Sequence, residues 1–129
     1  MSTICFTDGS ALKNSKDAPA GWAVYFPNEK VLLSKGIYGT NNFAELTAIS
    51  AALFYSFDTL KLHDSELVIY TDSEYVIKVM KNSAKIKQNI NKINHCRDLI
   101  KKLNENNNKV KFNHVRAHTG KDDFISKCN

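Results

Sequence analysis

No stretch of this 129-residue chain is apolar for long enough to span a bilayer. The longest candidate, around Ala48 to Phe57, is broken by Ser50 and Ser56, so no membrane partner is expected. The opening residues lack the apolar core of a secretion signal, because Asp8 and Gly9 interrupt the first apolar stretch. Cysteine is scarce and scattered. Cys5, Cys96 and Cys128 are odd in number and show no paired spacing. That argues against a disulfide framework and for the cytoplasm or another reducing intracellular compartment. There is no GxxxxGKS/T loop and no GxGxxG turn, so nucleotide-driven and dinucleotide chemistry have no support. Internal repeats and linkers are absent too, and the expectation is a single domain over residues 1–129.

What is present is an ordinary globular mixture. Apolar residues make up 43% and charged residues 24%, enough apolar content for one real core. The formal charge of +5 points weakly toward a polyanionic partner.

Residues 2–8 alternate, with Ile4, Phe6 and Asp8 on one face and Thr3, Cys5 and Thr7 on the other. Residues 9–20 carry turn chemistry. Strands are expected over 21–27 and 31–38, joined by short links that favour antiparallel hairpins. In "GTNNFAELTAISAALFYSF" the period changes to that of a helix, with Asn42 as N-cap and Glu45 in the first turn. A fourth strand is read over 66–71. Asp72 or Ser73 would cap a short helix running to Met80. The next helix is placed over 84–104, on a stripe of Ile86, Ile90, Ile93, Ile100 and Leu103, with its lysines mainly off that stripe. The last strand runs from Val110 to Val115. The result is an α/β fold with a five-stranded mixed sheet flanked by helices. The first and fourth strands can lie parallel through a helical crossover.

Two of those strands end alike, on "TDGS" and "TDSEYV". Ligands of open α/β sheets sit beyond the carboxyl ends of the strands. Adjacent strands are roughly 4.8 Å apart, so Asp8 and Asp72 would repel each other unless a cation sat between them. A hard divalent ion such as Mg²⁺ takes carboxylate oxygens, and Glu45 could supply a third. A lone strand-end Asp before Gly or Ser is commonly just a turn or cap residue. Two matched aspartates plus Glu45 weaken that bland reading without settling it.

"TDGS", "TNNFAEL", "TDSEYV" and "HVRAHTG", in that order, resemble the type 1 ribonuclease H family. The resemblance covers nearly the whole chain and rests on four ordered motifs. It implies a ribonuclease H-like fold and an endonuclease that hydrolyses the RNA strand of an RNA/DNA hybrid, leaving 5′-phosphate and 3′-hydroxyl ends. It implies Asp8, Glu45 and Asp72 as ligands of two Mg²⁺ ions, with Mn²⁺ as a substitute, and His118 as an assistant in proton movement or product release. By the same resemblance Asn14, Asn41 and Asn42 contact the minor groove, backbone groups near Gly9 and Ser10 help, and Thr40 belongs to a pocket for a DNA-strand phosphate. Asparagine suits this task because it can both donate to and accept from a 2′-hydroxyl. The competing role for each Asn is a turn or a cap.

The family pattern is not followed throughout. Glu74 stands where a Gln is common. The Trp-rich basic protrusion of some members is missing. A fourth carboxylate, carried by a final helix just after an Asn that Asn129 would match, lies beyond the given residues. Asp122 and Asp123 are no obvious replacements. A sheet without that helix would expose apolar surface, so a monomer is expected unless this surface drives self-association. Two alternatives follow. One is a hybrid-binding module with impaired catalysis. The other is a different metal-dependent nuclease on the same fold, which the three asparagines argue against.

Overall fold

A computed structural model describes residues 1–81 and 86–116 of the chain. The strands are β1 (Ser2–Ala11), β2 (Pro19–Phe26), β3 (Val31–Tyr38), β4 (Glu66–Thr71) and β5 (Lys109–His114). The helices are α1 (Asn41–Phe54), α2 (Glu74–Lys81) and α3 (Ile90–Glu105), and one π turn, Tyr55–Thr59, continues α1. The sheet order is β3-β2-β1-β4-β5. The pairs β1–β2 and β2–β3 are antiparallel hairpins, while β1–β4 and β4–β5 are parallel. The mixed five-stranded sheet expected from the sequence is therefore the one observed.

One face of the sheet holds the core. Cys5, Val24, Phe26, Leu67, Ile69 and Phe112 point from alternate strand positions into a cluster with Leu46, Ile49 and Leu53 of α1 and Ile93, Cys96, Leu99 and Leu103 of α3. Full burial of each such side chain is worth about 1.5–3 kcal/mol against leaving it in water. This apolar stripe holds α1 flat on β1. The opposite face carries Ile4, Phe6, Tyr25, Leu32 and Tyr70, all only partly buried among the described residues. Phe6 and Tyr70 stack there, ring centroids 5.0 Å apart and 19° from parallel.

Several boundaries differ from the sequence expectation. β1 does not stop at residue 8. It runs through Gly9 and Ser10 to Ala11, because β2 starts early, at Pro19, and Gly9 and Ser10 pair with Trp22 and Gly21. The N-cap of α1 is Thr40, not Asn42. The Thr40 hydroxyl oxygen accepts from the Phe43 N–H at 3.1 Å, which leaves Asn42 inside the first turn. Glu45 accordingly lies one residue beyond that turn. α3 begins at Ile90 rather than at 84. Asn89 ahead of it adopts a left-handed φ of 58°, which a continuous right-handed helix cannot include. Ile86 thus lies outside the helix, and Ile90 is 49% exposed, so Cys96 and Leu99 complete the buried stripe. Ser73, and not Asp72, caps α2, its Oγ accepting from the Val76 N–H at 3.1 Å. Residues 84 and 85 of the helix expected over 84–104, and the expectations for His118, for Asp122 and Asp123 and for a final helix, lie outside the described residues.

Candidate active site

The site is built where two parallel strands part company. The last paired rung between β1 and β4 is Phe6 with Tyr70. The Thr7 hydroxyl closes it by donating to the Tyr70 carbonyl at 3.2 Å. Beyond this point β1 continues against β2, while β4 ends at Thr71 and turns into α2. Asp8 therefore lies inside a strand and not at its end. It is β4 that ends, and Asp72 follows at the same level. Choosing Ser73 as cap spares Asp72 that task, and the Ser73 N–H donates in turn to Thr71 Oγ1 at 3.1 Å.

Glu45 arrives from the helix layer. Gly9 makes this possible, because its Cα faces the backbone of Ala44 and Glu45 and no Cβ would fit between them. The helix can thus approach β1 closely enough for Glu45 to reach the gap left by β4. Glu45 is buried, at 8% exposure, while Asp8 and Asp72 are half-buried. Asp8, Glu45 and Asp72 each present a carboxylate oxygen within 4.8 Å of the others. Three anionic oxygens this close repel in a partly dehydrated pocket. An all-oxygen, hard, anionic set of this kind fits a divalent cation such as Mg²⁺.

The asparagines lie beside this cluster. The Asn41 Oδ1 accepts from the Ala11 N–H at 2.6 Å, and the Asn14 Oδ1 accepts from the Asn41 N–H at 3.3 Å. These bonds tie the β1–β2 turn to the start of α1. Asn14, Asn41 and Asn42 are all exposed. Thr40, besides capping, lines a cavity of about 170 Å³ with Lys16, Gly39, Phe43 and Asn89. Gly9 is buried and Ser10 exposed next to Asp8. His118 lies outside the described residues. Sequence reasoning did not single out Lys16 or Asn89 at the Thr40 cavity, nor Ser34 and Lys35, which line a hollow shared with Asp8. No local motif marks them. Only the strand register, the β1–β2 connection and the turn before α3 bring them in.

A model of the RNase H family matches residues 1–126. The chain belongs to the RNase H family. Among its RNase H relatives, the ribonuclease H of Neorickettsia sennetsu is 34% identical over 79 residues, 58% of this chain and 48% of that protein. The chain thus spans about half the length of the curated relatives it matches. Solved RNase H structures share the fold. The N-terminal RNase H domain of a Mycobacterium tuberculosis protein, solved as a fusion with maltose-binding protein, superposes with a TM-score of 0.71 at 19% identity, covering 98% of this chain and 95% of that one. LC11-RNase H1, solved in complex with an RNA/DNA hybrid, gives 0.71 at 24% identity, with coverage of 89% and 86%. No described helix is long and apolar enough to cross a membrane.

Proposed function

We propose that this chain is an endonuclease that hydrolyses the RNA strand of RNA/DNA hybrids at a metal centre held by Asp8, Glu45 and Asp72. One observation carries the reading. Three carboxylates from β1, α1 and the β4–α2 turn bring oxygens within 4.8 Å of one another in a chain of the RNase H family. The structural relative LC11-RNase H1, solved with a hybrid bound, supports the substrate class. Divalent cations bound there, two Mg²⁺ with Mn²⁺ as a substitute, supply an activated water and neutralise charge on the leaving 3′-oxygen.

The chain's own groups do the rest. Asp8 on a sheet strand and Glu45 on a packed helix are rigid, so the ligand oxygens need little reordering when metal and substrate arrive. Asn14 and Asn41 already use their amide oxygens as internal acceptors. That leaves their NH₂ groups as the donors toward 2′-hydroxyl oxygens of the RNA strand. Asn42 and backbone groups near Gly9 and Ser10 extend this minor-groove contact. The Thr40 cavity takes a phosphate of the DNA strand. His118 would move a proton or aid product release.

The test is cleavage of a labelled RNA/DNA hybrid beside single-stranded RNA, double-stranded RNA and double-stranded DNA, with Mg²⁺, Mn²⁺ or EDTA. Metal-dependent scission confined to the RNA strand of the hybrid is expected. Hybrid binding without scission even in Mn²⁺ would instead make the chain a binding module. Scission of double-stranded DNA would make it a different nuclease.

A further inference from the structure

The sheet ends on β5, and no described strand pairs with its outer edge. The Lys109 N–H donates to the Ser65 carbonyl and the Val115 N–H to the Thr71 carbonyl, both at 2.9 Å. Residues that turn their main chain toward a parallel neighbour alternate along a strand. Residues 109, 111, 113 and 115 therefore face β4, and Val110, Phe112 and His114 turn their N–H and C=O groups outward. An edge of this kind is a template for one more strand.

A groove of about 320 Å³ runs beside this edge. Its apolar lining comes from Met80 of α2, Ile100 of α3, and Val110 and Phe112 of β5, and its basic lining from Lys81 and Lys111. Side chains from both faces of β5 line it, so it follows the margin of the strand and does not sit over one face. Met80, Ile100 and Val110 pack on the core yet are only partly buried. Arg97 donates to the Val79 carbonyl at 3.2 Å, which sets another positive charge one residue from Met80. On the sheet face away from the helices Lys109 and Lys111 are both exposed. Lys111 holds Glu66 at 3.0 Å, and Lys109 makes no ion pair among the described residues.

These features specify an occupant. Side chains of an added strand alternate between the two faces of the sheet. Those on the helix side would meet Met80, Ile100, Val110 and Phe112, and must be apolar. Those on the other side would lie beside Lys109 and Lys111, and must be acidic. A second copy of this edge fails the requirement, because antiparallel pairing of two β5 strands sets lysines against lysines. The lysines that guard the edge against self-pairing thus select an acidic guest. A nucleic-acid strand would satisfy the lysines, but it brings no apolar side chains for the groove and no ladder of N–H and C=O groups for the edge.

We propose that the β5 edge is a docking site for an extended segment of another protein, in which acidic and apolar residues alternate, bound as a sixth strand. The proposal does not depend on the nuclease reading. The test is fluorescence anisotropy of the full chain with a fluorescein-labelled peptide of about eight residues, glutamate alternating with valine, long enough to span β5. A peptide of the same composition, with its glutamates and valines in separate blocks, is expected to bind about tenfold more weakly, since it cannot serve both faces at once. Met80→Ala removes part of one apolar contact and is expected to weaken binding about fivefold. Alanine keeps the helix intact. Lys109→Glu combined with Lys111→Glu is expected to weaken binding about tenfold and to transfer the preference to a peptide alternating lysine with valine, a reversal that loss of folding cannot produce. Equal binding of the alternating and block peptides overturns the proposal, as does a parent that binds neither. Parental affinity in Met80→Ala, or a double variant without the reversal, overturns it too. So does displacement of the peptide by single-stranded DNA, which would assign the lysines to nucleic acid.

Discussion

A methyl group at Gly9 has no space to occupy. Its carbon would stand 2.5 Å from the Glu45 nitrogen and 2.6 Å from the Ala44 oxygen, within the backbone of α1. Comfortable non-bonded contacts of carbon begin near 3.5 Å, so Gly9→Ala forces β1 and α1 apart by about 1 Å. Neither side can relieve this by rotating a side chain. The separation also loosens Leu46, Ile49 and Leu53 from the sheet. Overpacking of this kind costs about 1–3 kcal/mol. In a chain of this size that lowers the melting temperature by about 3–10 °C. The same shift moves Glu45 relative to Asp8, and a displacement of about 1 Å at reacting groups can cost on the order of 100-fold in rate. Thermal unfolding by circular dichroism and turnover of a hybrid at saturating metal read the two effects separately. A variant with parental melting and parental turnover would refute the claim that glycine sets the spacing. One that melts early but turns over normally would refute the link from spacing to chemistry.

Other consequences are direct. Asp8→Asn or Asp72→Asn is expected to abolish cleavage in Mg²⁺ while hybrid binding by gel shift survives; undiminished turnover in either variant would remove it from the metal centre. Ser73→Ala deletes the cap on Val76 and should cost about 1 kcal/mol in urea unfolding. Burial pushes the Cys96 thiol up to about 12, with Lys92 pulling the other way, and burial raises Cys5 as well. A raised folded value means the full stabilising effect is present below the unfolded value of 9.0 and is lost as pH climbs from there toward 12. Each thiol contributes a decline of up to about 1.4 kcal/mol per pH unit in that window. Urea unfolding at pH 8 and pH 10 should show a smaller drop for Cys96→Ala than for the parent, and equal drops would contradict the burial argument.

How much of this could be read from the residues varies with the kind of signal involved. Alternation in β1 and the shift of period after Gly39 are local, so the strands, α1 and the parallel β1–β4 pair were legible. The matched Thr-Asp pairs with Glu45 suggest a carboxylate cluster without settling it, and the resemblance to the ribonuclease H motifs is what names all three residues together. Boundaries were less legible. Gly9 and Ser10 look like turn residues, yet pairing with β2 carries the strand through them, a tertiary effect no window of sequence contains. The start of α3 is not legible, because Ile86 and Ile90 continue an apolar spacing that Asn89 breaks by its left-handed backbone. Lys16, Ser34, Lys35 and Asn89 were invisible as site residues, since each reaches its place only through strand register or a neighbouring turn.

The run-on of β1 shapes the site. β1 continues beside β2 for five residues past its last pairing with β4. The gap on the β4 side is open to the helix layer, and Gly9, in that continuing segment, lets α1 close on it. One offset between two parallel strands therefore helps gather the three carboxylates. Shortening the overrun, by replacing Ala11 with proline so that it no longer donates to Asn41, should weaken hybrid binding while leaving the carboxylate cluster in place.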